Sequence, residues 1–143
     1  MSTSTSPFTR AQLLPQEETL EISKQRGDLF IGIPKETYFQ EKRICLTPDA
    51  VAAVVANGHK VLVEKGAGSE AGFSDKDYSE AGAQLTNDIK KVFGCPIILK
   101  VEPPTIEELE LINPKSVLIS ALQLKTRQKS YFKALAKKKI TAL

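Results

Sequence analysis

Two cysteines and one histidine are all that this 143-residue sequence holds of the side chains that build zinc sites, disulfide frameworks and imidazole-based catalytic sets. Cys45 and Cys95 stand far apart and outside any CxxC spacing, so neither a disulfide framework nor a metal centre is expected, and free thiols suit a reducing, cytoplasmic setting. His59 opens a strand-like run directly after Asn57-Gly58, at the end of a strand away from where substrate lies in open α/β sheets, and reads as structural. No obvious general base is left. Long apolar runs are missing too. Nothing approaches the ~18 residues of a membrane helix, and the opening MSTSTSPFTRAQLLPQEE has neither the apolar core nor the cleavage site of a secretory signal. Charge of one sign is also lacking: 20 basic side chains stand against 17 acidic ones, mixed along most of the chain, so nucleic-acid binding is not implied. The one basic cluster, Lys137-Lys138-Lys139, closes a predicted helix, where cations complement the dipole and donate to terminal carbonyls.

What is present is enough for one ordinary globular domain, with 41% hydrophobic and 26% charged residues. Residues 1–27 read as an extension: a Ser/Thr-rich start, then Leu13, Leu14, Leu20 and Ile22 spaced for a marginal amphipathic helix over 11–26. From Leu29 onward short apolar runs alternate with helix-length segments, which predicts an α/β fold with a doubly wound, mostly parallel, Rossmann-like sheet. LFIGI, HKVLVE, the run Cys95 to Val101, Ser116 to Leu122 and ITAL are the expected strands. Between them, Thr47-Pro48 opens a helix with Val51, Val54 and Val55 on one stripe and Asn57-Gly58 at its end. Ser74 and Asn87 cap two short helices, Thr105-x-x-Glu108 is a capping box, and Thr126 caps a helix that offers Tyr131, Phe132 and Leu135 for burial. No convincing nucleotide-binding unit appears before Leu143, so residues 28–143 are expected to be one lobe of a two-lobe enzyme.

Two of the strand-like runs break at their carboxyl ends into Pro-containing loops, and each carries a cation near that end. They are IGIPKETYFQEKRICLTP with Arg43 and ILKVEPP with Lys100. Ligands of open α/β sheets bind outside the carboxyl ends of strands, so Arg43 and Lys100 are expected to converge on a small anion, the guanidinium gripping a carboxylate bidentately. Taken alone, a loop arginine such as Arg43 is most often solvated surface, and Lys100 reads equally as a guard on an edge strand. Gln123, closing LISALQ, is the remaining polar side chain placed to face such a pocket; its amide hydrogen-bonds but cannot shuttle protons. Gly66-Ala67-Gly68-Ser69-Glu70-Ala71 formally satisfies GxGxx(G/A) after HKVLVE, with Asp88 about 20 residues on. The phosphate mechanism needs a helix that starts inside the glycine turn, whereas here the first helix signal is Ser74, so a structural turn is expected.

Read in order, IGIPKE, KRICLTP, NGHKVLVEKGAG, GFSDKDYSEAGA, ILKVEPP and a final strand-helix-strand ending in KKKITAL resemble the N-terminal domain shared by alanine dehydrogenases and the alpha subunit of proton-translocating nicotinamide nucleotide transhydrogenases. The resemblance covers roughly residues 29–143. It implies that Arg43 holds the carboxylate of alanine or pyruvate, that Lys100 contacts the carbonyl or imine side, and that NAD binds mainly in a domain C-terminal to Leu143. It further implies a homo-oligomeric full-length enzyme and an inactive isolated lobe. One position departs from the pattern: alanine dehydrogenases carry a catalytic histidine in a YLHL-type strand end where this sequence has Gln123. Transhydrogenase alpha subunits also lack that histidine, which keeps the transhydrogenase reading open beside a non-catalytic carboxylate-binding or regulatory domain. Saccharopine dehydrogenases, of similar architecture, are a weaker third resemblance.

Overall fold

Six short strands carry the architecture: β1 (Phe30–Ile33), β2 (Lys60–Glu64), β3 (Gln84–Thr86), β4 (Ile97–Leu99), β5 (Val117–Ile119) and β6 (Thr141–Ala142). The computed structural model describes residues 27–143, so the helix expected over 11–26 lies outside the described residues. All pairings are parallel and the order is β3-β2-β1-β4-β5-β6, that of a doubly wound sheet. Parallel neighbours need crossovers, and these are supplied by α1 (Pro48–Ala56), α2 (Asp75–Glu80), α3 (Ile89–Phe93), α4 (Ile106–Leu111) and α5 (Lys129–Lys137).

Because the sheet is covered on both faces, its central strands are continuously apolar and alternate residues serve opposite cores. Ile31, Ile33, Val61 and Val63 pack with Val51 of α1 and Tyr78 of α2. On the other face Ile98 and Leu118 pack with Phe93, Leu109, Tyr131 and Leu135, while Leu62 meets Val92 and Cys95. Register pairs Ile31 with both Val61 and Ile97, and Gly32 with Leu62 and Ile98. Gly32 has a specific reason to be glycine: a Cβ there would lie 2.3 Å from the Val92 carbonyl oxygen, so α3 rests directly on the β1 backbone.

The helix starts follow their caps. Thr47 accepts from the Ala50 N–H ahead of Pro48, and Ser74 with Asp77 and Thr105 with Glu108 both form complete capping boxes. Two starts differ from expectation. Asp88, not Asn87, caps α3, because the Asp88 N–H is fixed on Thr86 Oγ1 and its carboxylate is left facing the Lys90 N–H. Helix α5 begins after Gln128, which caps nothing with its side chain, since the Thr126 hydroxyl is spent donating to the Gln123 carbonyl. Strand β3 was not expected at all. Within the basic cluster, Lys138 donates to the carbonyls of Leu109, Glu110 and Ile112, so it closes the end of α4 rather than that of its own helix.

The Gly66 turn is structural in form. A three-residue 3₁₀ segment, Ser69–Ala71, follows it, Gly72 takes φ +86°, and α2 starts only at Asp75. Asp75 accepts the Gly66 N–H at 2.7 Å, and a Cβ on Gly68 would lie 2.5 Å from the Tyr78 ring. His59 accepts from the Leu29 N–H at the opposite end of the sheet from the strand carboxyl ends.

Candidate functional site

From β1 the chain winds outward through β2, and from β4 it winds the other way through β5, which opens a crevice beyond the carboxyl ends of β1 and β4. Glu36, just past β1, reaches across this crevice. Its carboxylate accepts from Lys100 Nζ at 2.7 Å, from the Val101 N–H at 2.6 Å and, more weakly, from the Glu102 N–H at 3.4 Å. Glu108, besides capping α4, places a second carboxylate oxygen 3.8 Å from the same ammonium. The side chains of Lys100 and Glu36 are 1% and 5% exposed, so the two form a buried ion pair in which each is the other's direct partner. The edge-strand reading of Lys100 is overturned: β4 lies between β1 and β5, and the Lys100 N–H is itself bonded to the Ile119 carbonyl.

Arg43, in the loop from β1 to α1, lies at the exposed rim. Its guanidinium grips Glu41 with two bonds, Nε at 2.8 Å and a terminal nitrogen at 2.6 Å, and that nitrogen is also 3.7 Å from Glu102. Hydrogen bonds from the Arg43 side chain and backbone pull the Glu41 carboxyl down to about 2. Gln123 donates its amide to the other oxygen of Glu102 at 2.9 Å. Arg43 and Gln123 therefore share the Glu102 carboxylate, while the Glu102 backbone N–H reaches Glu36. Gln123 has φ +48°, a left-handed conformation that costs a non-glycine residue about 1–2 kcal/mol and is held by the Thr126 N–H and hydroxyl on its carbonyl.

The three residues singled out in the sequence thus border one crevice, but through carboxylates of the chain itself. Glu36, Glu41 and Glu102 were not anticipated. The signal available for Glu36 was electrostatic: a lysine inside an apolar run demands a nearby anion, and Glu36 is the first acid after β1. Beside this network an open cleft of about 440 Å³, lined by Cys45, Leu99, Lys100, Ile119, Ser120 and their neighbours, is large enough for a small metabolite. Burial pushes the Cys45 thiol up to about 12, so it supplies no thiolate nucleophile at neutral pH. A larger cleft of about 520 Å³ between α1 and α2 is lined by Asp49, Asp77 and Glu80, has no cation in its wall, and shares no lining residue with the cleft beside Lys100. Among the described residues no His, Cys, Asp and Glu cluster is arranged to hold a metal ion, and no helix is long and apolar enough to cross a membrane.

Residues 32–143 match the family described as "Alanine dehydrogenase/PNT, N-terminal domain". The chain belongs to this family. It is 38% identical over 115 residues to an alanine dehydrogenase of Bacillus subtilis (strain 168), covering 80% of this chain and 30% of that relative. Among solved structures it is similar to an L-alanine dehydrogenase, with a TM-score of 0.77 at 35% identity over 80% of this chain and 32% of the other. A transhydrogenase from Sinorhizobium meliloti superposes with a TM-score of 0.73 at 26% identity, over 79% and 33% of the two chains. The fold is therefore that of the N-terminal domain of alanine dehydrogenase-like proteins, an oxidoreductase family, with a transhydrogenase as a close structural relative. The chain spans about 30% of the length of the curated relatives it matches. The alanine dehydrogenase/PNT match contains the whole crevice network, from Glu36 to Gln123.

Proposed function

We propose that residues 28–143 form the substrate-binding lobe of an alanine dehydrogenase-like oxidoreductase, which converts L-alanine, NAD⁺ and water to pyruvate, ammonia and NADH. The observation that carries this reading is the Arg43 fork, which already grips a carboxylate at the rim of the β1/β4 crevice. Glu41 holds the place that the carboxylate of alanine or pyruvate takes by exchange, in the same bidentate geometry. Lys100, fixed at the edge of the adjoining cleft, donates to the carbonyl or imine side of the substrate, and Gln123 orients it by a hydrogen bond. These groups bind and align; none of them is suited to shuttle protons at neutral pH, so proton transfer falls to a group outside residues 28–143. NAD supplies the hydride acceptor. The Gly66 turn does not fit its pyrophosphate, since the Gly66 N–H is already bonded to Asp75 and no helix begins in the turn. In this reading NAD is held mainly by a separate domain, in a cytoplasmic homo-oligomer, and the lobe by itself is inactive.

Alanine-dependent NAD reduction by a full-length protein carrying this lobe is the test. Arg43→Ala removes two charge-assisted bonds and should raise the alanine KM about 100-fold while leaving the NAD KM unchanged. An unaltered alanine KM sinks the assignment. The second reading, a transhydrogenase alpha lobe that binds no amino acid, is favoured by one observation, the amide of Gln123 at the strand end where the resemblance to alanine dehydrogenases calls for a histidine. Hydride transfer between two nicotinamide nucleotides without any response to alanine decides for it. If pyruvate binds but neither reaction runs, the lobe is a carboxylate-binding regulatory domain.

A further inference from the structure

On the far side of β5 from Glu36, the start of α5 forms a second polar concavity that the substrate reading does not use. A cleft of about 250 Å³ is lined by Thr126, Arg127, Gln128, Ser130, Tyr131 and, from α4, Ile106. Helix α5, nine residues long, is the one α-helix among the described residues whose first turn receives no side-chain cap, so the N–H groups of Lys129 and Ser130 stay available, while that of Tyr131 is bonded to the Gln128 carbonyl. A second observation is independent of the helix. Tyr131 is 3% exposed, yet its hydroxyl meets no hydrogen-bond partner among the described residues, and the same holds for the buried Nε of Arg127. The guanidinium lies over the Tyr131 ring, 5.3 Å from its centroid, so the two orphan groups belong to one wall. The Arg127 Nε–H can only donate and the Tyr131 hydroxyl is free to donate, so an acceptor-rich guest satisfies both. The nearest carboxylate to influence Tyr131, Glu108, is already engaged by Thr105, Thr37 and Lys100. Between Leu111 and Leu143 the sequence has eight lysines and arginines and no aspartate or glutamate, so the surroundings favour a negative guest.

We propose that the start of α5 is a binding site for a small phosphate-class oxyanion, held by the Lys129 and Ser130 N–H groups, Arg127 and the Tyr131 hydroxyl. The cleft lies below the ~300 Å³ at which drug-sized pockets begin, which suits a single phosphate group, free or borne by a nucleotide. The test is titration of the 143-residue chain with inorganic phosphate and, separately, with AMP, followed by calorimetry and thermal unfolding at constant ionic strength set with KCl. Saturable binding of either, with a rise in Tm, is expected; preference for AMP assigns the phosphate to a nucleotide, and equal or weaker binding of AMP assigns it to the free ion. Tyr131→Phe and Arg127→Gln should each weaken the affinity about tenfold or more, while Lys133→Gln on the same helix should not. Tyr131→Phe removes only an unpartnered hydroxyl, so it keeps the test decisive if Arg127→Gln fails to fold. A non-saturable response, or saturable binding of equal strength in all variants, overturns the proposal, and neither result bears on alanine binding at Arg43.

Discussion

The crevice holds two ion pairs of nearly equal length and very different character. Lys100 and Glu36 approach to 2.7 Å with side chains 1% and 5% exposed; Arg43 and Glu41 approach to 2.6 Å with side chains 70% and 7% exposed. Distance alone would rank them together. What separates them is solvent. The inner pair has no water to fall back on, so each partner is a structural requirement for the other, and the three bonds to Glu36 tie the end of β4 to the loop after β1. Water and salt compete for the guanidinium of the outer pair, so Arg43 can change partners, as the proposed exchange of Glu41 for a substrate carboxylate requires. Under the proposed function, one pair holds the shape of the site and the other exchanges with its ligand.

The largest expected effect comes from breaking the inner pair on one side. Glu36→Ala leaves the Lys100 ammonium with only the more distant Glu108, and should destabilise the domain by about 3–5 kcal/mol in urea unfolding. Adding Lys100→Met to the same chain removes the uncompensated charge and should recover most of that loss, because an apolar side chain fits a burial of this degree. A loss below about 1 kcal/mol for Glu36→Ala would mean that solvent reaches Lys100, and the contrast between the two pairs would collapse.

A smaller effect sharpens the inner side of the comparison through Cys45, which borders the same cleft as Lys100. Burial is the main cause of its raised pKa, and Glu36 adds to it while Lys100 opposes it. Alkylation of Cys45 at pH 8 should therefore be much slower than that of a free thiol, which titrates near ~8.5. Glu36→Gln should speed it modestly, since the dominant desolvation is unchanged. Reaction at the rate of a free cysteine would show that the cleft wall is open to water.

The contrast also explains which parts of the molecule could be read in the chain. Thr47, Ser74 and Thr105 were legible as helix starts because a cap and its partner sit within three residues, and the apolar runs of β1, β2 and β4 because their burial on both faces demands them. Gln84–Thr86 carries no such pattern, being short and half polar, and β3 forms because it pairs with β2. Asn87 and Asp88 are adjacent cap formers, and only the Thr86 hydroxyl decides between them. In the crevice the cations announced themselves by position, one inside an apolar run and one after a strand. Their carboxylate partners did not. Glu36 and Lys100 are 64 residues apart, and no local spacing records that β1 and β4 are neighbours. The departure at Gln123 was visible, but its left-handed backbone and its bond to Glu102 were not, since Thr126 holds the first and the loop after β4 supplies the second.

The smallest effect lies at the outer pair and is best read by pH. Glu41 has its folded-state pKa pulled to about 2, below the ordinary glutamate value, mainly by the Arg43 side chain. A depressed carboxylate pKa contributes stability that is present above the unfolded value of ~4.3 and is lost as pH falls from there toward 2. A carboxyl-carbon NMR titration should therefore show Glu41 ionised well below pH 4, and Arg43→Ala should return its midpoint to the ordinary range. At 1 M salt, where the screening length shrinks to ~3 Å, the depression should weaken while the inner pair is untouched. Thermal stability at pH 7 should fall on Arg43→Ala, since the Glu41 depression is lost with it, but by less than on Glu36→Ala, because the guanidinium that is removed is itself largely exposed. If instead Arg43→Ala lowered Tm as much as Glu36→Ala does, Arg43 would be a structural strut, and a strut cannot exchange Glu41 for the carboxylate of a substrate.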